Sequence, residues 1–207
     1  MFGRSISEML VWHIKSFFNA NDDVISHLIN VDELAQKRLR TVLSRFSKNP
    51  KIDTAVSWQY SLYLYFSSRE LYLSGGDVEV CAALFQLNKA LSGMDLFYEI
   101  DMPDYFLICH TVGAVFAKAE YSDYCVFHQG VTVGRKGSSR PKLAECVVMY
   151  PGSMIIGNCI VGRNTVLAPG VRLVDTDTPG DCYVFQSAAG RVEFKELNDV
   201  HVERFFC

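Results

Sequence analysis

Nowhere in the 207 residues do eighteen apolar residues follow one another, whereas a membrane-spanning helix needs about twenty. No membrane span is expected. The opening stretch, MFGRSISEMLVWHIKSFF, has neither the apolar run nor the small-residue cleavage site of a secretory signal. The seven cysteines are odd in number and contain no CxxC pair, which argues against a disulfide framework and against a structural zinc site. They are expected as reduced, mostly buried thiols of a cytoplasmic protein. No charge of one sign dominates: 20 Lys and Arg stand against 23 Asp and Glu, scattered along the chain, for a net charge of -3. A binder of nucleic acid or of an anionic membrane carries a basic footprint, and none is present.

What is present is a 49% apolar composition, enough to bury a proper core, and two halves with different periods. From residue 5 to about residue 92 the apolar spacing is helical. A capping box, Ser5 and Glu8, precedes Leu10, Ile14 and Phe17. A second helix is predicted over Val31 to Phe46 and ends before Pro50, a third over Thr54 to Leu73, and a fourth over Val78 to Leu91 after the SGGD break. This half carries no chemical motif.

After residue 110 the period becomes six, the signature of a hexapeptide-repeat β-helix. The apolar series runs Val115, Tyr121, Phe127 and Val133, then, beyond a loop, Leu143, Met149, Ile155, Val161, Leu167 and Leu173. Four residues after most of these members stands something no larger than valine: Ala119, Cys125, Val131, Val147, Ser153, Cys159, Thr165 and Val171. Both positions are predicted to point inward, the first filling a triangular prism and the second its corners, with Gly134, Gly157, Gly162 and Gly170 permitting bends. Cys125 and Cys159 are thereby explained as small buried hydrophobes. The interruption GRKGSSRPK, after Val133, must leave the prism as a loop, of the kind that covers sites on rigid scaffolds.

His110 and His128 are 18 residues apart, one full turn of such a prism. With the register held back to residue 110 they stack on one edge, at the usual spacing of about 4.8 Å between strands. His128 follows inward Phe127, so by alternation it faces out. A structural role is available to both rings, as hydrogen-bonding groups at a subunit interface.

Five stretches together carry a resemblance: GMDLFYE from Gly93, CHTVG from Cys109, HQGVTVG from His128, SRPKL from Ser139 and VVMYPGSMIIGNCIVG from Val147. Over residues 84 to 175, and more loosely in the helical half, the chain resembles the serine acetyltransferase family of hexapeptide-repeat acyltransferases. The family forms are GVDIHP, DHATG, QSVTLGG, RHPKI and regular coils. The resemblance implies an α+β chain: an N-terminal α-helical domain (1–92), a left-handed parallel β-helix of hexapeptide repeats (93–175) and a C-terminal tail (176–207). It also implies a trimer or a dimer of trimers, with acetyl-CoA as co-substrate and no metal.

Carried over by motif, His110 matches the catalytic base and Asp95 the aspartate that orients it. Turns at Tyr150, Pro151, Ala168 and Pro169 match the lining of an acetyl-CoA groove, and Gln129 and Gly134 fall in the coil before the loop. His128, Gln129, Arg140, Lys142 and Cys109 are candidate contacts to the acceptor or the oxyanion. The chemistry suits these types. A hydroxyl is a poor nucleophile near neutral pH, and an imidazole of ordinary pKa about 6.5 accepts its proton as it attacks a thioester. An aspartate would fix the tautomer, as in hydrolase triads, and backbone N–H groups or a cation would hold the oxyanion.

Two positions depart from the family. Cys109 replaces the aspartate before the catalytic histidine, and the histidine of RHPKI is missing, with Arg140 in or near its place. Both belong to the serine-binding machinery of the family, so a hydroxyl of a sugar or sugar nucleotide is expected as acceptor ahead of L-serine. A bidentate Arg140 keeps serine open. Two other readings stand beside this one. A metal hydratase resembling γ-class carbonic anhydrase would need three histidines, and His13, His27 and His201 lie outside the repeats. A catalytically silent β-helix scaffold is the other. The tail, EFKELNDVHVERFFC, is expected to pack on a neighbour or on the helical half.

Overall fold

The computed structural model describes residues 4–206. The chain divides into two compact units, the first ending at Glu99 and the second beginning at Ile100.

The first unit holds four helices. Helix α1 (Ile6–Phe18) starts at the predicted capping box, in which the Ser5 side chain accepts from the Glu8 N–H and the Glu8 carboxylate from the Ser5 N–H. Helix α2 (Asp22–Leu43) begins nine residues ahead of the predicted Val31, because Asn21 caps it by accepting from the Val24 N–H. Val24, Ile25 and Leu28 of its first turns thus lie ahead of the predicted range. Helix α3 (Ser57–Leu73) packs against both α2 and α4 (Val78–Ser92) and is buried almost all round, from Gln59 to Ser68. That burial is possible because its polar groups are matched: Ser67 donates to the Tyr63 carbonyl, Ser68 to that of Cys81, and the Tyr63 hydroxyl to Asp32. Side chains such as Leu62 and Phe66 stabilise the unit by about 1.5–3 kcal/mol each on burial.

The segment after α4 stays with the helices. Lys89 Nζ bonds Asp95 Oδ2 at 2.6 Å, Phe85 and Phe97 meet edge to face, and Arg69 reaches the carbonyls of Tyr98 and Glu99. Among the described residues no helix is long and apolar enough to cross a membrane.

The second unit is a parallel β-solenoid with three faces. One face stacks Phe106–Ile108, Cys125–Phe127, Val148–Met149, Thr165–Leu167 and Cys182–Gln186 in parallel, and Val192–Glu196 closes it antiparallel. The next stacks Val115–Phe116, Thr132–Gly134, Met154–Ile156 and Arg172–Val174. The third stacks Glu120–Tyr121, Lys142–Leu143 and Ile160–Val161. The coiling therefore runs on past residue 175, where the apolar series read from sequence stops, because Cys182 and Val184 fill the interior in their turn.

From Phe127 to Leu173 every member of the six-residue series is buried to 1% exposure or less, and the small residues from Cys125 to Val171 are buried beside them. The first coil departs from the pattern. Val115 is 40% exposed and Phe116, at 3%, takes its inward place. The cause is the length of one corner: six residues, Cys109 to Ala114, join the first two strands of that coil, where four, His128 to Val131, suffice in the next. Phe106 accordingly pairs with Cys125, nineteen residues on, and not eighteen. The predicted bend at Gly134 is strand, while Gly113, Gly130, Gly152 and Gly170 stack at one corner with φ between 68° and 74°, a conformation that favours glycine.

Candidate active site

The corner with those glycines carries most of the predicted site. Each of its upper positions bonds the coil below: Cys109 N–H donates to the Phe127 carbonyl, His128 to Met149, Tyr150 to Leu167 and Ala168 to Val184. Cys109, His128, Tyr150 and Ala168 are thus the true rungs. His110 does not stack in register with His128, as the 18-residue spacing had suggested. It sits one position further on, in the enlarged corner, and is swung into solvent. The two imidazoles remain neighbours. Burial first, and His110 second, push the His128 pKa below its ordinary value, so its ring is neutral at neutral pH.

The His128 ring stacks on Tyr150, with centroids 4.9 Å apart and planes 21° from parallel, and meets Phe205 edge to face at 5.9 Å. Its Nε2 is buried without a hydrogen-bond partner among the described residues. A buried polar atom without a partner is uncommon, and this one is shut off from solvent in a ring packed against Tyr150 and Phe205. Cys109 is half-buried, and burial pushes its thiol up to about 11. It is a neutral S–H at this corner, neither a thiolate nucleophile nor a substitute for a carboxylate charge.

Tyr150 is engaged through its side chain, although the sequence pointed only to its turn. Its hydroxyl lies 3.0 Å from His201 Nε2, and the His201 N–H donates to Asn164 Oδ1. Asn164 in turn donates to the Asp199 carbonyl and to Asp181. The tail, expected on a neighbour or on the helical half, packs on its own solenoid, with Phe206 against Tyr124. No sequence spacing relates residue 201 to residue 150, so His201 and Phe205 were beyond reach of the motifs. His201 becomes a third histidine at the corner, but among the described residues no three His, Cys, Asp or Glu side chains are placed to share a metal.

The remaining predicted residues are distributed elsewhere. Gln129, Pro151 and Pro169 belong to the same corner, with Gly152 N–H donating to the Gln129 carbonyl and Gly170 N–H to that of Pro151. Gly134 ends a strand of the adjoining face. Arg140 lies in the loop at the following corner, and Lys142 is on the third face, paired with Glu120 at 2.9 Å. The structure does not bring these three to the histidines within one chain. The loop is not free: Lys136 bonds Asp175 Oδ2 at 2.5 Å, and its backbone pairs with Ser139. Asp95 belongs to the first unit, where its carboxylate accepts from Lys89, a partner that the motif did not announce.

Burial also lowers the His201 pKa, with Arg204 adding to the effect and Asp199 opposing it. His128 and His201 both titrate lower folded than the ordinary unfolded value of about 6.5. As pH falls through that value the unfolded chain binds protons that the folded chain refuses, so stability present at neutral pH is lost in acid. The solenoid should melt at a lower temperature at pH 5 than at pH 7, and His201→Gln should show the smaller difference. Identical pH dependence in both proteins would remove His201 as a cause.

No family model matches the chain. Comparison with known proteins gives first a class of fold. Crystal structures of serine acetyltransferases superpose on nearly the whole chain: that from Neisseria gonorrhoeae at TM-score 0.70 and 17% identity, covering 95% of this chain and 84% of its own. That from Brucella abortus gives 0.70 and 18%, over 93% and 85%. Isoform 3 from Entamoeba histolytica, in complex with cysteine, gives 0.64 and 20%, over 91% and 73%. In sequence, the chain is similar to the serine acetyltransferase of Synechococcus elongatus, 32% identical over 117 residues, which cover 54% of this chain and 47% of that protein. The chain thus spans about half the length of the curated relative it matches.

Proposed function

We propose that the chain is a cytoplasmic acetyl-CoA-dependent O-acetyltransferase of the serine acetyltransferase type, with L-serine as its first acceptor. The observation that carries this reading is the enlarged corner, which presents His110 to solvent beside a neutral His128 with an unspent Nε2. Turns of three successive coils adjoin it.

His110 accepts the proton of the acceptor hydroxyl as that oxygen attacks the thioester carbonyl. The tetrahedral adduct then collapses, the C–S bond breaks, and the imidazolium returns the proton to the departing CoA sulfur. Asp95 orients the imidazole, a role that rests on the resemblance alone. His128 packs beside the acceptor and meets it through Nε2 once Phe205 of the tail moves aside. The pantetheine arm runs along the turns at Tyr150, Pro151, Ala168 and Pro169. Arg140 and Lys142 act from a neighbouring copy in a trimer or dimer of trimers. What supports that last step is their place at other corners and faces of the prism.

A second reading is favoured by Cys109: the hydroxyl of a sugar or sugar nucleotide. A neutral thiol supplies no charge for the ammonium group of an amino acid. Release of CoA thiol from acetyl-CoA should be followed with L-serine and with a panel of amino sugars and sugar nucleotides. If serine is the acceptor, Cys109→Asp should raise kcat/KM for serine by about tenfold, roughly one charge-assisted contact. If a sugar is the acceptor, the wild type should turn it over faster than serine and Cys109→Asp should not improve on it. Failure to bind acetyl-CoA at all would favour the scaffold.

A further inference from the structure

We propose that the helical unit holds a second binding site, for a small uncharged molecule of one ring bearing a hydroxyl or amide group, between α1, α3 and α4. A cavity of about 210 Å³ lies there. It is open to solvent on one side and runs inward among buried side chains, the concave form that a small ligand enters. An apolar cavity of about 150 Å³ accommodates benzene, which sets the scale: a ring with one or two substituents.

The lining has two parts. Met9, Leu64 and Leu91 form apolar walls, while His13, Tyr60 and Asn88 supply polar groups. These polar residues are buried to 5%, 7% and 2% exposure, whereas Leu91 is 45% exposed and Ala55 and Ser57 are open to solvent. Solvent-facing residues thus frame the mouth and buried ones the interior. Apolar walls with a few convergent polar groups describe a ligand site better than a packing defect, which would be apolar throughout.

The polar groups are fixed in advance. His13 Nδ1 lies 2.8 Å from the Tyr60 hydroxyl. The Asn88 side-chain carbonyl accepts from Ser61 and Ser92, and its amide donates to the Ser61 carbonyl. The His13 ring also bonds the Met9 backbone. One capacity is left over, the second amide hydrogen of Asn88, which makes no hydrogen bond to a described residue, and an acceptor oxygen of a ligand would use it.

Charge decides the class. No Lys, Arg, Asp or Glu lines the cavity. Burial pushes the His13 pKa down and that of Tyr60 up, so both are uncharged at neutral pH. An ion entering here would lose its hydration with nothing to replace it.

Phenol is the probe, and the full chain the receptor, with binding read by saturation-transfer and titration NMR. Saturable binding at about 1 mM or tighter is expected, about tenfold weaker in Tyr60→Phe, which removes the hydroxyl that anchors the His13 ring in the wall. In Leu91→Trp, a change at the exposed mouth, it should be lost. Binding that fails to saturate, or that both variants leave unchanged, overturns the proposal. Leu91→Trp keeps the test decisive should Tyr60→Phe fold poorly. Since binding alone is read, a negative result leaves the acetyl-transfer reading untouched, and the reverse also holds.

Discussion

Replacing His110 with alanine is expected to lower acetyl transfer by at least about a hundredfold in kcat, with KM for acetyl-CoA little changed, since a positioned general base contributes about 10²–10⁴. The size of the effect follows from the chemistry. Without a base the hydroxyl must attack while still carrying its proton, and the charge that builds on the oxygen is not relieved in the transition state. The fold should survive. His110 is exposed, lies outside the rungs of the solenoid, and its loss is a surface substitution within about 0.5 kcal/mol. His128→Asn should act differently. It removes a stacked ring that the proposal assigns to the acceptor, so KM for the acceptor should rise more than kcat falls. A His110→Ala enzyme with parental turnover would remove the base from the mechanism, and the scaffold reading would gain.

The two halves of the chain were legible to different degrees, for physical reasons. The solenoid announces itself because each coil has to fill the same triangular interior, so Phe127, Val133, Leu143 and Met149 recur with little freedom. The helical half has no such repetition, and α2 begins where polar residues, and not apolar ones, set the boundary. Register failed in one place. Two extra residues in the corner from Cys109 to Ala114 moved Phe116 inward, turned Val115 out and displaced His110 from its rung. A six-residue count cannot register an enlarged corner, because such a corner changes the phase without changing the composition. The candidate site was legible as residues that share one corner where it rests on chain-local motifs, as at Cys109–His110 and His128–Gln129. It was illegible where it rests on return contacts: the tail that brings His201 to Tyr150, and Lys89 bonded to Asp95.

That phase change can be tested through stability. Phe127→Ala is expected to destabilise the solenoid by about 3–5 kcal/mol, the usual cost of deleting a buried phenylalanine ring. The ring is fully buried. It meets Phe116 edge to face at 5.0 Å and Tyr121 at 6.1 Å, so alanine leaves a cavity that two rigid aromatic neighbours cannot collapse to fill. Its strand is paired on both sides, with Phe106–Ile108 and with Val148–Met149, which fixes the backbone around the void. Val115→Ala should cost no more than about 0.5 kcal/mol, although the six-residue series places Val115 and Phe127 in equivalent positions. Phe116→Ala should resemble Phe127→Ala. Urea unfolding of the three variants, followed by a solenoid-specific probe, measures the differences. Equal losses for Val115→Ala and Phe116→Ala would mean that the first coil keeps the regular phase, and with it that His110 stacks on His128. Activity supplies the link to function. The Phe127 carbonyl accepts from the Cys109 N–H, so slackening that rung loosens the corner that holds His110. Phe127→Ala should therefore lose turnover at temperatures below its melting transition, and Val115→Ala should not.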